Sequence, residues 1–111
     1  MNNFQELSSI EEIEHFIQDN LLAFLYITQP NCSVCHGLEP QITSILNKYP
    51  QIQARKINAG TVTEIAGRFS VFTAPVLLLL IDGKEYIREA RIVQTDLFEE
   101  KLSRIYKNMV D

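Results

Sequence analysis

Cysteine is scarce and clustered: the chain has two, at positions 32 and 35, among 111 residues. That argues against a scaffold held by several disulfides and against a four-cysteine zinc site. Positive charge is also short, with 10 lysines and arginines against 14 aspartates and glutamates and a net charge of −4, so a nucleic-acid surface is not expected. No apolar run approaches the roughly 18 residues that would span a bilayer, which argues against a membrane partner. Met1 to Glu6 lacks a basic start followed by an apolar stretch, so no signal peptide is expected and the cytoplasm is the expected location. A structural disulfide is disfavoured there, and a close cysteine pair points to redox or metal chemistry instead. Repeats, linkers and low-complexity stretches are missing too. With 46% apolar and 22% charged residues, the sequence reads as one globular domain over residues 1–111.

Both cysteines fall in Asn31-Cys32-Ser33-Val34-Cys35-His36, where an apolar run ends and a helical pattern begins. With Cys32 at the start of that helix, Cys35 lies one turn on and faces the same side. The two sulfurs can then join in a disulfide or part as a dithiol. Free N–H groups and the dipole at a helix N-terminus favour a thiolate, the nucleophile of disulfide exchange. This makes Cys32 the candidate attacking group and Cys35 the resolving one. The bland alternative is a pair of ordinary core thiols.

Around this stretch the pattern alternates between helix and strand. Ser9 and Glu12 form a capping box for a helix over residues 9–18, with Ile10, Ile13, Phe16 and Ile17 at helical spacing. Leu21 to Ile27 is an unbroken apolar run, as in a strand buried on both faces. The helix after Cys32 carries Leu38, Ile42, Ile45 and Leu46 and ends near Tyr49-Pro50, with a kink expected at Pro40. Ile52 to Asn58 reads as a strand with Ile52, Ala54 and Ile57 inward, and Thr61 with Glu64 as the cap of a short helix containing Ile65, Ala66 and Phe69. Pro75 to Ile81 is the second apolar run, Asp82-Gly83 a hairpin turn, and Glu85 to Ile92 the returning strand. Asp96 is the expected cap of a last helix through Phe98, Leu102, Ile105 and Met109. Two βα crossovers and a terminal hairpin predict an α/β fold, a central mixed sheet with helices on both faces.

With these features in place, the chain resembles the thioredoxin family along nearly its full length. The resemblance rests on Cys32-Ser33-Val34-Cys35 after the first buried strand, Pro40 in the next helix, Lys56-Ile57-Asn58 ending the following strand, and Thr73-Ala74-Pro75 before the hairpin. It implies a thioredoxin-like fold and a thiol–disulfide oxidoreductase that reduces protein disulfides. It further implies attack by Cys32, a mixed disulfide with the substrate, and resolution by Cys35. Its implied substrate-binding set is Thr73, Ala74, Pro75 and Val34, with the Ala74–Pro75 bond cis beside the sulfurs. Disulfide-containing proteins are the implied substrates, and a reductase or a small thiol the electron donor. No cofactor is called for. Three departures stand out: Ser33-Val34 replaces the usual Gly-Pro, Asn31 the usual tryptophan, and Tyr26 the family's buried acid beneath the second cysteine.

His36 and Lys56 are candidates for tuning the thiols, as is Tyr26, a poor base with a reference pKa of about 10. Their plainer readings are a solvated histidine, a surface lysine and a packed core aromatic with a paired hydroxyl. Zinc would draw on Cys32, Cys35 and His36, but a structural site takes four ligands and one chain offers no second cysteine pair. Two other functions stay open. One is a thioredoxin-fold binding module with little turnover, favoured by Tyr26 and Asn31. The other is a glutaredoxin-like enzyme using a small thiol, against which stands the lack of a Gly-Gly segment after the Pro75 strand.

Overall fold

The alternation of apolar runs and helical patterns resolves into nine elements in a computed structural model that describes residues 4–110. They are β1 (Gln5–Leu7), α1 (Ile10–Asp19), β2 (Leu22–Thr28), α2 (Ser33–Leu46), β3 (Gln53–Asn58), α3 (Ile65–Phe69), β4 (Val76–Ile81), β5 (Lys84–Ala90) and α4 (Thr95–Val110). The sheet order is β1-β3-β2-β4-β5. β1 and β2 run parallel to β3, while β4 is antiparallel to β2 and β5 to β4. This is the mixed sheet that the two βα crossovers and the terminal hairpin predict.

Because β2 and β4 are central, both of their faces are covered, and their side chains divide by parity. Ala23, Leu25 and Ile27 of β2 pack with α1 and α3, through Ile13, Phe16, Ile17, Ile65 and Phe69. Phe24 and Tyr26 pack on the other face with α2 and α4, through Leu38, Ile42, Phe98 and Leu102. Each of the large apolar side chains buried here contributes about 1.5–3 kcal/mol relative to exposure. β3 follows the same rule, which corrects the expected common inward face. Ile52 and Ala54 belong to the α2/α4 side and Ile57 to the α1/α3 side.

Local signals set most boundaries. The Ser9 hydroxyl accepts the Glu12 N–H at 3.1 Å, and the Glu12 carboxylate returns to the Ser8 N–H at 2.7 Å. Asp82 and Gly83 both adopt positive φ, 53° and 79°, as a tight hairpin requires. Helix α2 runs through Pro40 from Ser33 to Leu46, leaving the His36 carbonyl without a donor four residues on. It stops short of Tyr49, because Lys48 and Tyr49 tighten into three-residue bonds, Lys48 N–H to Ile45 O at 3.1 Å and Tyr49 N–H to Leu46 O at 2.9 Å.

Two expected caps are not caps. Glu64, not Thr61, occupies the position before α3, and its side chain makes no capping bond. Thr61 instead donates its N–H to Asn58 O at 3.0 Å in the turn after β3. The Phe98 N–H bonds to Gln94 O at 3.0 Å, so α4 starts at Thr95, ahead of Asp96, whose carboxylate sits in the first turn. Strand β5 ends at Ala90 rather than Ile92, because Arg91 turns to φ 68° and Ile92 faces solvent. Strand β1 has no counterpart in the sequence reading: it is three residues long, and only Leu7 is buried.

Candidate active site

Three strand ends meet at one end of the sheet. β2 ends at Thr28 and β3 at Asn58, its partner in register, while β4 begins at Val76 opposite Ile27. The chain leaves β2 through Gln29, Pro30 and Asn31, and Asn31 takes φ 61°, a left-handed conformation that asparagine tolerates better than most residues. This reversal delivers Cys32 to the N-cap of α2, with extended φ −96° and ψ 92°. Gly60 holds the approach in place. Its N–H bonds to Asn58 Oδ1 at 2.8 Å, and a Cβ there would lie 2.7 Å from the Pro30 ring. The turn after β3 therefore packs directly on the loop that carries Cys32.

Cys32 and Cys35 are joined by a disulfide, with Cα atoms 5.3 Å apart. The Cys35 N–H points at Cys32 Sγ, 3.2 Å away, so the helix N-terminus directs a donor at that sulfur. The two sulfurs differ in access: Cys32 is half-buried and Cys35 only 2% exposed. A cavity of about 170 Å³ opens on the β3 side of the pair. Cys32, Cys35, His36, Glu39, Lys56 and Asn58 are among the residues lining it.

Of the expected tuning residues, Tyr26 lies fully buried, and its hydroxyl donates to the Cys35 carbonyl at 2.6 Å. Burial first, and the nearby Glu39 carboxylate second, hold the phenol well above the usual tyrosine range. It therefore stays a proton donor at neutral pH, the packed and paired aromatic of the plainer reading. Lys56 is no free surface lysine. Its ammonium sits 3.3 Å from both carboxylate oxygens of Glu39. His36 lines the cavity but is exposed, and Val34 between the cysteines is 61% exposed.

Thr73, Ala74 and Pro75 lie at the same end of the sheet, on the β4 side, and do not line the cavity. Thr73 and Ala74 are half-buried and Pro75 is buried. The Ala74–Pro75 bond is cis, and the Pro75 carbonyl accepts the Arg91 N–H at 2.9 Å.

Glu39 escaped the sequence reading. A glutamate in an amphipathic helix reads as solvent-facing, yet this one is buried, at 7% exposure. Its signal was the spacing: four residues after Cys35 places it on the same helix face, one turn deeper.

Comparison with known proteins agrees with the geometry. The thioredoxin family model matches residues 5–105. Thioredoxin-like protein YdfQ of Bacillus subtilis is 49% identical over 107 residues, covering 96% of each chain. Among solved structures, oxidised thioredoxin O2 from Arabidopsis thaliana superposes with a TM-score of 0.82 at 22% identity, covering 94% of this chain and 95% of that one. Thioredoxin from Trypanosoma brucei brucei gives 0.81 at 20% identity, covering 94% and 91%. No helix among the described residues is long and apolar enough to cross a membrane. Matched over most of its length and carrying a disulfide-forming pair at the start of α2, the chain belongs to the thioredoxin family and is a thiol–disulfide oxidoreductase.

Proposed function

We propose that this protein reduces disulfides of other proteins, with Cys32 as the attacking thiolate and Cys35 as the resolving thiol. The observation that carries the reading is the inequality of the two sulfurs. Cys32 is the more accessible and receives a backbone N–H, whereas Cys35 is buried one turn below. A helix N-terminus lowers a thiol's pKa and burial raises it, so the first thiol is primed and the second waits. Cys32 attacks a substrate disulfide and forms a mixed disulfide, releasing one substrate thiol. Cys35 then attacks Cys32 Sγ, closing the Cys32–Cys35 bond and releasing the second.

The substrate would lie across exposed Val34 and along Thr73-Ala74-Pro75, on the side of the pair away from the cavity. Electrons return from a reductase or a small thiol, the supply that a reducing compartment such as the cytoplasm offers. The test is a single turnover. Fully reduced protein is mixed with a disulfide-bonded protein, and both partners are alkylated and weighed by mass spectrometry. One substrate disulfide opened per Cys32–Cys35 bond formed is expected. Association without exchange would establish the binding module instead.

A further inference from the structure

Resolution requires Cys35 to lose a proton where bulk water scarcely reaches. A free thiol has a pKa of about 8.5, and burial in apolar surroundings raises it. Some group near Cys35 has to take that proton. Tyr26 cannot, because its hydroxyl is protonated and committed to the Cys35 carbonyl. His36 lies exposed on the first turn of α2 and Glu6 exposed on β1, both at the cavity margin. Glu39 remains. It is buried, lies one turn below Cys35 on the same helix face, and lines the cavity that both cysteines line.

Stability does not account for a carboxylate at this position. A buried ion pair is about neutral against well-packed apolar side chains, because desolvation offsets the attraction. Apolar residues occupy most of the surrounding core on this face. Lys56 reaches from β3 to grip both carboxylate oxygens, fixing the group beneath the active pair.

We propose that Glu39, anchored by Lys56, accepts the Cys35 proton across this cavity when the mixed disulfide is resolved. The inference rests on the reductase reading above. In the step, the Cys35 S–H bond breaks, the proton passes to the Glu39 carboxylate, and the Cys35 thiolate attacks Cys32 Sγ. The Cys32–Cys35 bond forms as the bond from Cys32 to the substrate sulfur breaks. The substrate leaves as a thiolate, and Glu39 returns its proton to solvent. The titratable groups around Glu39 are Lys56 from β3 in contact with it, Tyr26 from β2 near it, and Glu6 from β1 with Cys32, Cys35 and His36 from α2 on the walls of the same cavity.

The test uses reduced full-length protein and a small aromatic disulfide whose released thiolate is coloured and needs no proton to leave. The first coloured equivalent reports attack by Cys32 and the second reports resolution by Cys35. Wild type is expected to show a second phase nearly flat across neutral pH. Glu39→Gln should keep the first phase, while its second slows about 100-fold at neutral pH. That second phase should then climb about tenfold per pH unit toward the ionisation of the thiol itself. Glu39→Asp should restore the flat profile at a reduced rate.

A Glu39→Gln second phase matching wild type, or lowered equally at every pH, overturns the proposal while leaving the reductase reading intact. Loss of either phase in wild type would sink the reductase reading itself. Should Glu39→Gln not fold, the wild-type profile alone decides, since a second phase rising only with thiol ionisation contradicts a carboxylate acceptor.

Discussion

Cys35→Ser is expected to hold substrate proteins in disulfide linkage to Cys32, with multiple-turnover reduction lowered on the order of 10³-fold or more. The reason lies in the chemistry of resolution. A serine hydroxyl is not ionised at neutral pH and does not attack a disulfide, so the mixed disulfide persists until an outside thiol releases it. The substitution is nearly isosteric at a position 2% exposed, and the Cys35 backbone N–H that serves Cys32 is unchanged. Attack therefore continues while release stops. Cys32→Ser should lose reduction to the same degree and capture almost nothing, since the remaining thiol is buried. Non-reducing electrophoresis of protein purified without reductant, followed by mass mapping, reads both outcomes. Adducts dominated by a small thiol would assign the electron chemistry to a glutaredoxin-like enzyme. Equal capture by the two variants would contradict the assigned order of attack.

The second large effect is on stability, at Tyr26. Tyr26→Ala should cost about 3–5 kcal/mol, the usual range for emptying a large aromatic site in a core. The ring is fully buried and packs against Phe4 with centroids 5.5 Å apart. Domains of this kind retain about 5–15 kcal/mol, so the loss is about a fifth of the total or more. Tyr26→Phe keeps the ring and removes only the 2.6 Å bond to the Cys35 carbonyl. It should cost about 1 kcal/mol. Urea unfolding of the two variants separates packing from hydrogen bonding. Because the phenol stays protonated, Tyr26→Phe should also leave the pH dependence of disulfide reduction unchanged. A Tyr26→Phe variant whose activity collapsed at neutral pH would make the phenol, not Glu39, the group that handles the Cys35 proton.

Most of this architecture was legible because it rests on strong local signals. Leu22 to Ile27 and Val76 to Ile81 are continuous apolar runs, and such strands need cover on both faces. Asp82-Gly83 supplies the positive φ values of the hairpin, and Cys32-x-x-Cys35 after a buried strand marks the helix start. What stayed hidden depends on tertiary context. Strand β1 is three residues with one buried side chain, too short for a periodicity to show. Ala54 and Ile57 face opposite sides of β3, which becomes visible only when both faces of the sheet are covered. Glu39 looks like any surface glutamate until Lys56, 17 residues on, is brought beside it by the sheet. Gly60 likewise acquires its meaning only from Pro30, which the fold places against it.

The central claim is that the pair is functionally unequal, with Cys32 attacking and Cys35 resolving. Brief alkylation of the fully reduced protein at mildly acidic pH, followed by mass mapping of singly labelled chains, measures this inequality directly. The label is expected on Cys32 almost alone, since the helix N-terminus favours its thiolate and Cys35 is buried. Equal labelling of the two thiols, or preference for Cys35, would contradict the account.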